Sequence, residues 1–150
     1  NIVAIIFGAF IFYTGLKLLK ESVNNLLDEA DYEKLDQVIE ILNLNRRDKW
    51  IDMHNLRVIK YGAHLHIDAH ITLPWYDKLE DSHSEVSAVE MLIKDKLEGE
   101  VEFFIHADPC LPTSCPICTI KDCAYRKSDP IKKLDWTLDN LLPDKKHGIN

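Results

Sequence analysis

The sequence lacks several features that define common classes of protein. It has 18 Lys and Arg against 25 Asp and Glu, a formal net charge of −7. This deficit of positive charge argues against a nucleic-acid partner, whose phosphates need a basic surface. Cysteine is absent outside residues 110–123, so no disulfide framework staples the chain together. With 150 residues and neither an internal repeat nor a low-complexity tract, the chain has room for one domain and an appendage.

Charge is also missing from Ile2–Leu16, an apolar run that is followed by Lys17 and Lys20. A membrane-spanning helix needs about 20 apolar residues, which this run approaches. A signal peptide has its positive charge before the apolar segment and a cleavage site after it, unlike this sequence. We therefore predict a transmembrane helix over residues 1–20, with its lysine end on the cytoplasmic side, rather than a buried core helix.

Helical periodicity follows this run and returns later in the chain. A helical connector is predicted over residues 21–31, with Asp31 as a candidate N-cap. The next helix, Tyr32–Leu44, has one apolar face, formed by Leu35, Val38, Ile39 and Leu42. The run Ser82-His83-Ser84-Glu85 fits a capping box that would begin a helix ending near Leu97. That helix would bury Val86, Val89, Leu92, Ile93 and Leu97.

Three segments alternate like strands: Trp50–Lys60, Ala63–Leu73 and Val101–Asp108. The first changes phase midway, which indicates a bulge, and Tyr61-Gly62 indicates a turn before the second. The predicted domain is α+β with the order αββαβ, in a split βαβ arrangement of the ferredoxin-like kind. Both helices would cover the apolar face of the sheet. The other face would carry His64, His66, Asp68, His70, His106 and Asp108.

Histidine and carboxylate on one open sheet face are typical ligands of zinc and related cations. The candidate ligands lie on the three predicted strands and on the helix before the last strand. They are His54 on the first strand, His70 on the second, His83 on the helix, and His106 and Asp108 on the third strand. Because no close His-x3-His pair is present, the residues alone leave open whether these are ligands or solvated surface histidines.

The cysteines form a second pattern, C-x4-C-x2-C-x4-C, at Cys110, Cys115, Cys118 and Cys123. Four thiolates at this spacing could close a tetrahedral zinc site or hold an iron–sulfur cluster. Free thiols or a redox pair at Cys115 and Cys118 are the alternatives. Thr119 after Cys118 argues against a c-type haem, which needs histidine there. An amphipathic helix is predicted over about Pro130–Leu142, at the end of this tail.

Several short motifs occur in order along the chain: Gly15-x3-Leu19-x2-Ser22-x3-Leu26-Leu27-Asp28, His54-Asn-Leu-Arg57, Gly62, His70, His83 and Ile105-His106-x-Asp108-Pro109. In order and spacing they resemble the C-terminal part of the cation diffusion facilitator family, whose members are metal-ion efflux transporters. The resemblance covers about residues 2–109. It divides the chain into the last transmembrane helix (1–20), a connector (21–31), a cytoplasmic domain (32–109) and a Cys-rich tail (110–150).

The resemblance implies a metallochaperone-like cytoplasmic domain that forms a homodimer and binds zinc, or another divalent transition metal, between protomers. The positions of His54, His70 and Asp108 would bind one ion. Those of His83, His106 and Asp108 would bind a second, with the carboxylate bridging. His64 and His66 match no ligand of the family and are interpreted as surface or interface residues.

These inferences predict the regulatory part of a divalent-cation efflux transporter in the inner cell membrane, with its C-terminal domain cytoplasmic and no enzymatic activity. Metal binding between protomers would favour the transport-competent dimer. The transport-site residues of earlier helices are not in this sequence. The resemblance does not extend to the cysteines, which could hold a second Zn²⁺. The alternative function is a thiol-based metallochaperone or redox module that uses Cys110–Cys123.

Overall fold

The computed structural model describes residues 1–26, 32–61, 64–97 and 99–148. Its first element is a continuous helix, α1 (Ile2–Leu26), with apolar side chains such as Phe10 exposed. The segment Ile2–Val23, with a mean hydropathy of 2.2, is long and apolar enough to cross a membrane. Residues 21–26 of the predicted connector continue this helix, while residues 27–31, including the candidate N-cap Asp31, lie outside the described residues.

The domain that follows has the predicted order αββαβ. Its elements are α2 (Tyr32–Asn45), β1 (Asp52–Tyr61), β2 (His64–Leu73), α3 (Leu79–Lys96) and β3 (Glu100–Pro109). The sheet order is β1-β2-β3, with β1 antiparallel to β2 and β3 parallel to β2. Because β3 pairs directly with β2, α3 makes a simple βαβ crossover, and the predicted split arrangement is wrong. The predicted turn residue Gly62 and Ala63 lie outside the described residues.

Both helices cover one face of the sheet, as predicted. From α2, Leu35, Val38, Ile39 and Leu42 are buried, and from α3, Ala88, Val89 and Ile93 are buried, with Leu97 just beyond. They pack against the apolar positions of the strands in one hydrophobic core. This packing leaves the alternate positions of β2 and β3, which carry the histidines, on the opposite face.

The start of α3 differs from the sequence prediction. The helix begins at Leu79, with Lys78 as its N-cap and no side-chain cap, so Ser82-His83-Ser84-Glu85 lies inside it. Instead of capping the helix, Glu85 accepts a hydrogen bond from Trp50 Nε1 at 2.9 Å and pairs with Arg47 at 3.3 Å. A tertiary contact therefore replaces the local one that the motif suggests. The helix ends at Lys96, before Gly99, whose φ of 114° favours glycine.

The segment after β3 contains a 3₁₀ helix, Pro112–Ile117, and a single helical turn, α4 (Leu138–Leu141). The predicted helix over Pro130–Leu142 is therefore wrong in extent. Its largest side chain, Trp136, is buried, but the backbone of Trp136 is held by the side chain of Asn43 rather than by a helix. Asn43 Nδ2 donates to the Trp136 carbonyl at 2.7 Å, and Asn43 Oδ1 accepts from the Trp136 N–H at 3.3 Å. These bonds use the backbone groups that a helix would need.

The predicted bulge lies in β1. His54 is opposite His70 and Arg57 is opposite Asp68, so β1 has one residue more than β2 between these pairs. Asn55 has a φ of 53°, in the left-handed region that asparagine tolerates. Its N–H donates to the Pro143 carbonyl at 3.0 Å. The bulge therefore connects the strand to the C-terminal segment.

Candidate metal centre

The strand register places the histidines in one row across the sheet. His54 of β1 is opposite His70 of β2, which is opposite His106 of β3. The next row contains Asp52, Thr72 and Asp108. Residues two apart on a strand share a face, so the two rows together bring imidazoles and carboxylates into one patch.

Three of the five predicted ligands come together in this patch. One ligand atom from each of His54, His70 and Asp108 lies within 4.8 Å of the others. Asp108 Oδ2 is 3.2 Å from His70 Nδ1 and 3.5 Å from His54 Nε2. The rings of His54 and His70 are 5.0 Å apart between centroids. Two imidazoles and a carboxylate are a donor set that suits zinc and related divalent cations.

The protonation states also suit a cation. Burial lowers the pKa of His54, so its imidazole stays neutral at pH 7 with a lone pair available. Burial alone would raise the pKa of Asp108, but the hydrogen bond and charge of Lys146 hold the pKa below its usual value. His54 is only 2 % exposed, and its Nδ1 has no hydrogen-bond partner. A buried imidazole with a carboxylate 3.5 Å from its Nε2 suits a metal ligand.

His106 and His83 stand apart from this group. The His106 ring is 4.8 Å from that of His70, but its side chain is exposed on β3. His83 is exposed on α3 and is not among the three grouped ligands. The chain thus brings together the first predicted ligand set and only part of the second. On the same face, His64 pairs with Glu100 at 2.8 Å, and His66 lies 3.1 Å from Asp68.

Three residues of this patch were missed by the sequence analysis: Asp52, Lys146 and His147. Asp52 is fully buried, and its Oδ2 lies 3.9 Å from His54 Nδ1. His147 donates its backbone N–H to Asp52 at 2.8 Å, and its Nδ1 is 2.8 Å from the other carboxylate oxygen. Lys146 Nζ is 3.2 Å from Asp108 Oδ1. Only Asp52 had a sequence signal, its position two residues before His54 on one strand.

The four cysteines line a separate cavity of about 120 Å³, between the end of β3 and the following loops. All four are free thiols: Cys110, Cys115, Cys118 and Cys123. The Lys127 N–H donates to Cys115 Sγ at 3.4 Å. Within the residues that the structure describes, the four sulfur atoms do not form a group as close as that of His54, His70 and Asp108.

The charges of these thiols affect one another's ionisation. Burial raises the pKa of Cys110, and the other three thiols raise it further, which opposes the backbone hydrogen bond from Trp75. Burial also raises the pKa of Tyr76, and a hydrogen bond with Cys123 raises it further. Accumulated negative charge is therefore unfavourable in this cavity, and a bound cation would relieve it.

Comparison with known proteins supports the family indicated by the sequence. Residues 30–110 match the family described as cation efflux protein, cytoplasmic domain. The cation-efflux pump FieF of Yersinia pestis (strain Pestoides F) is 31% identical over 108 residues, which cover 69% of this chain and 34% of that protein. An uncharacterised transporter of Synechocystis, sll1263, is 24% identical over 108 residues, which cover 72% of this chain and 34% of that protein.

A solved structure of CzrB in its Zn form shares the fold, with a TM-score of 0.50 and 17% identity. The match covers 55% of this chain and 91% of that one. The chain spans about a third of the length of the curated relatives it matches. The family match covers more than half of the chain and includes every strand of the sheet. The chain belongs to the cation efflux (cation diffusion facilitator) family, of which it contains the cytoplasmic domain.

Proposed function

We propose that this chain is the regulatory C-terminal part of a divalent-cation efflux transporter, in which His54, His70 and Asp108 bind zinc or a similar cation. The observation that carries the proposal is the convergence of these three ligand atoms within 4.8 Å on the sheet face opposite the helices. The names of the relatives agree with it, since FieF is a cation-efflux pump and CzrB has a Zn form.

Regulation would come from a second copy of the chain. His70 and His106 lie beside each other at the surface, and His106 with His83 would complete a second ligand set between two protomers. A cation that binds the closed homodimer more tightly than the separated domains stabilises the dimer by that difference. Helix α1 would transmit the closure to the membrane, with the domain on the cytoplasmic side of the inner membrane. On this proposal the chain is not an enzyme.

The first prediction concerns assembly. The full chain in detergent should bind at least one Zn²⁺ per protomer, and its dimeric fraction should fall when a chelator removes the metal, because the bridging ligands then lose their shared partner. Native mass spectrometry gives the metal content, and light scattering coupled to size exclusion gives the mass.

Contacts between α1 helices could also produce a dimer, so a control is needed. In an Asp108→Ala variant, which lacks the ligand that both proposed sets share, a dimer held by α1 alone keeps its mass with or without chelator, whereas a dimer held by metal is lost. If the original chain binds no zinc, or if chelation leaves its mass unchanged, the proposed regulation is refuted.

A second function is favoured by the cysteine cavity: we propose that Cys110, Cys115, Cys118 and Cys123 bind a further soft cation such as Zn²⁺. Four thiols share one cavity and interact electrostatically. Binding would require the sulfur atoms to approach one another and lose their protons. It would also remove the repulsion between thiolates that, after burial, helps to raise the pKa of Cys110. A metallochaperone or redox module is the alternative use of the same thiols.

The second prediction tests this cavity with Cd²⁺. The full chain should develop a sulfur-to-metal charge-transfer band that a Cys115→Ser/Cys118→Ser variant loses, because only thiolates produce it. The His70→Ala variant is the matched control and should keep the band. If Cd²⁺ produces no band, and a mild oxidant instead converts two of the thiols to a disulfide reversibly, the redox alternative replaces metal binding.

A further inference from the structure

The C-terminal segment Pro143–Gly148 crosses the sheet face beside the proposed metal site. The bulge of β1 binds its start, through the Asn55 N–H and the Pro143 carbonyl. Buried Asp52 binds its other end, through both the backbone and the ring of His147. Gly148 then fits so closely that a β-carbon there would lie 2.6 Å from the Thr113 carbonyl oxygen. This segment is therefore docked at both ends.

Between these anchors, Lys146 extends its ammonium group into the ligand cluster. Lys146 Nζ lies 3.2 Å from Asp108 Oδ1, while Oδ2 of the same carboxylate faces His70 and His54. The side chain of Asp108 is only 12% exposed, so water screens this ion pair poorly. Both carboxylate oxygens of Asp108 are therefore in contact with other groups, and one of them is paired with the ammonium group of Lys146.

We propose that Lys146 is a built-in competitor that occupies Asp108 until a divalent cation displaces it. The inference rests on the proposed metal function of His54, His70 and Asp108. An ammonium group and a divalent cation repel each other at contact distance. For the same carboxylate to bind the cation fully, Lys146 must withdraw. The apparent affinity of the site is then its intrinsic affinity multiplied by the fraction of protein in which the ammonium group has left.

Asp52 has a complementary role in this arrangement. It faces Nδ1 of His54, while Nε2 of the same ring faces Asp108. At 3.9 Å the Asp52 carboxylate makes no hydrogen bond with Nδ1, but its negative charge lies beside the buried ring. Because His147 binds Asp52, the docked segment is held beside His54 and places Lys146 at Asp108. The segment therefore limits the affinity of the site, which would fill only at a higher concentration of free metal than it would without Lys146.

The test is a titration of the full chain in detergent with Zn²⁺ against a chromophoric chelator. In Lys146→Met, which keeps the aliphatic stem, the apparent Kd should fall about tenfold if Lys146 occupies the carboxylate about nine-tenths of the time. Lys145→Met is the matched control, because Lys145 is exposed and its loss changes the net charge equally. It should bind as the original chain does, as should Lys146→Arg, which keeps the cation.

The possible outcomes separate the two proposals. Unchanged affinity in Lys146→Met, or equal tightening in Lys145→Met or Lys146→Arg, overturns the competitor while the metal site stands. If the original chain shows no Zn²⁺ binding that Asp108→Ala removes, the proposed function fails as well. Hydrogen exchange of the His147 amide must remain slow in metal-free Lys146→Met. Tightening that accompanies loss of this protection would be due to release of the segment and would also overturn the proposal.

Discussion

Replacing Asp108 with alanine should weaken Zn²⁺ binding at the sheet-face site by about 100-fold or more. Loss of a carboxylate that only supports a metal ligand typically lowers affinity 10–100-fold, and Asp108 is itself the anionic ligand of the group. One of its oxygens lies within 3.5 Å of both imidazoles, at His54 Nε2 and His70 Nδ1. Without it, the group keeps two imidazoles and has no anionic ligand. Competition with a chromophoric chelator measures the change on the full chain.

The matched control is Asp68→Ala. Asp68 lies on the same face, in β2, and its loss removes the same charge, but it pairs with His66 and is outside the ligand group. Its replacement should leave the affinity close to that of the original chain. Equal weakening in both variants would mean that the negative charge of the surface attracts the cation, and that Asp108 is not a specific ligand.

The parts of this site that could be predicted depend on local periodicity. Alternation along β2 and β3 assigns His70, His106 and Asp108 to one face without knowledge of the rest of the fold. The order αββαβ and the covered face follow from the same period-2 and period-3.6 patterns. Because these patterns are read within a few residues, they are insensitive to errors in the distant parts of the chain. This explains why the strands and the face that carries the histidines could be predicted, whereas the order in which the strands pair, which is not a local property, could not.

The features that were missed depend on contacts between distant parts of the chain. Lys146 reaches Asp108 from the far end of the tail, and His147 reaches Asp52 across 95 residues of sequence. No local pattern distinguishes this lysine from its neighbour Lys145. The error in the C-terminal helix has the same origin: the apolar residues around Trp136 suggest an amphipathic helix, whereas Asn43 of α2 binds the Trp136 backbone. Long-range hydrogen bonds therefore decide structure where the local preference is weak.

The second large effect is expected from Trp136→Ala, which should lower the free energy of unfolding of the domain by about 3–5 kcal/mol, the usual cost of removing a buried aromatic side chain. Trp136 is 1 % exposed and belongs to the main hydrophobic core. The guanidinium of Arg46 lies 3.9 Å from the centre of its ring. Burial lowers the pKa of Arg46 to about 10, so Arg46 remains charged at neutral pH and keeps this cation–π contact. Urea unfolding of the full chain in detergent, followed by circular dichroism, measures the loss.

Ile131→Ala provides the control within the same segment. Its side chain is 69% exposed, so this replacement should change the unfolding free energy by no more than about 0.5 kcal/mol. A small effect from both variants would mean that the segment after β3 is an appendage that the domain does not need. A large effect from Trp136→Ala alone would make the segment part of the domain core. The docking of Lys146 at the metal site would then depend on an anchor that is also essential to the fold.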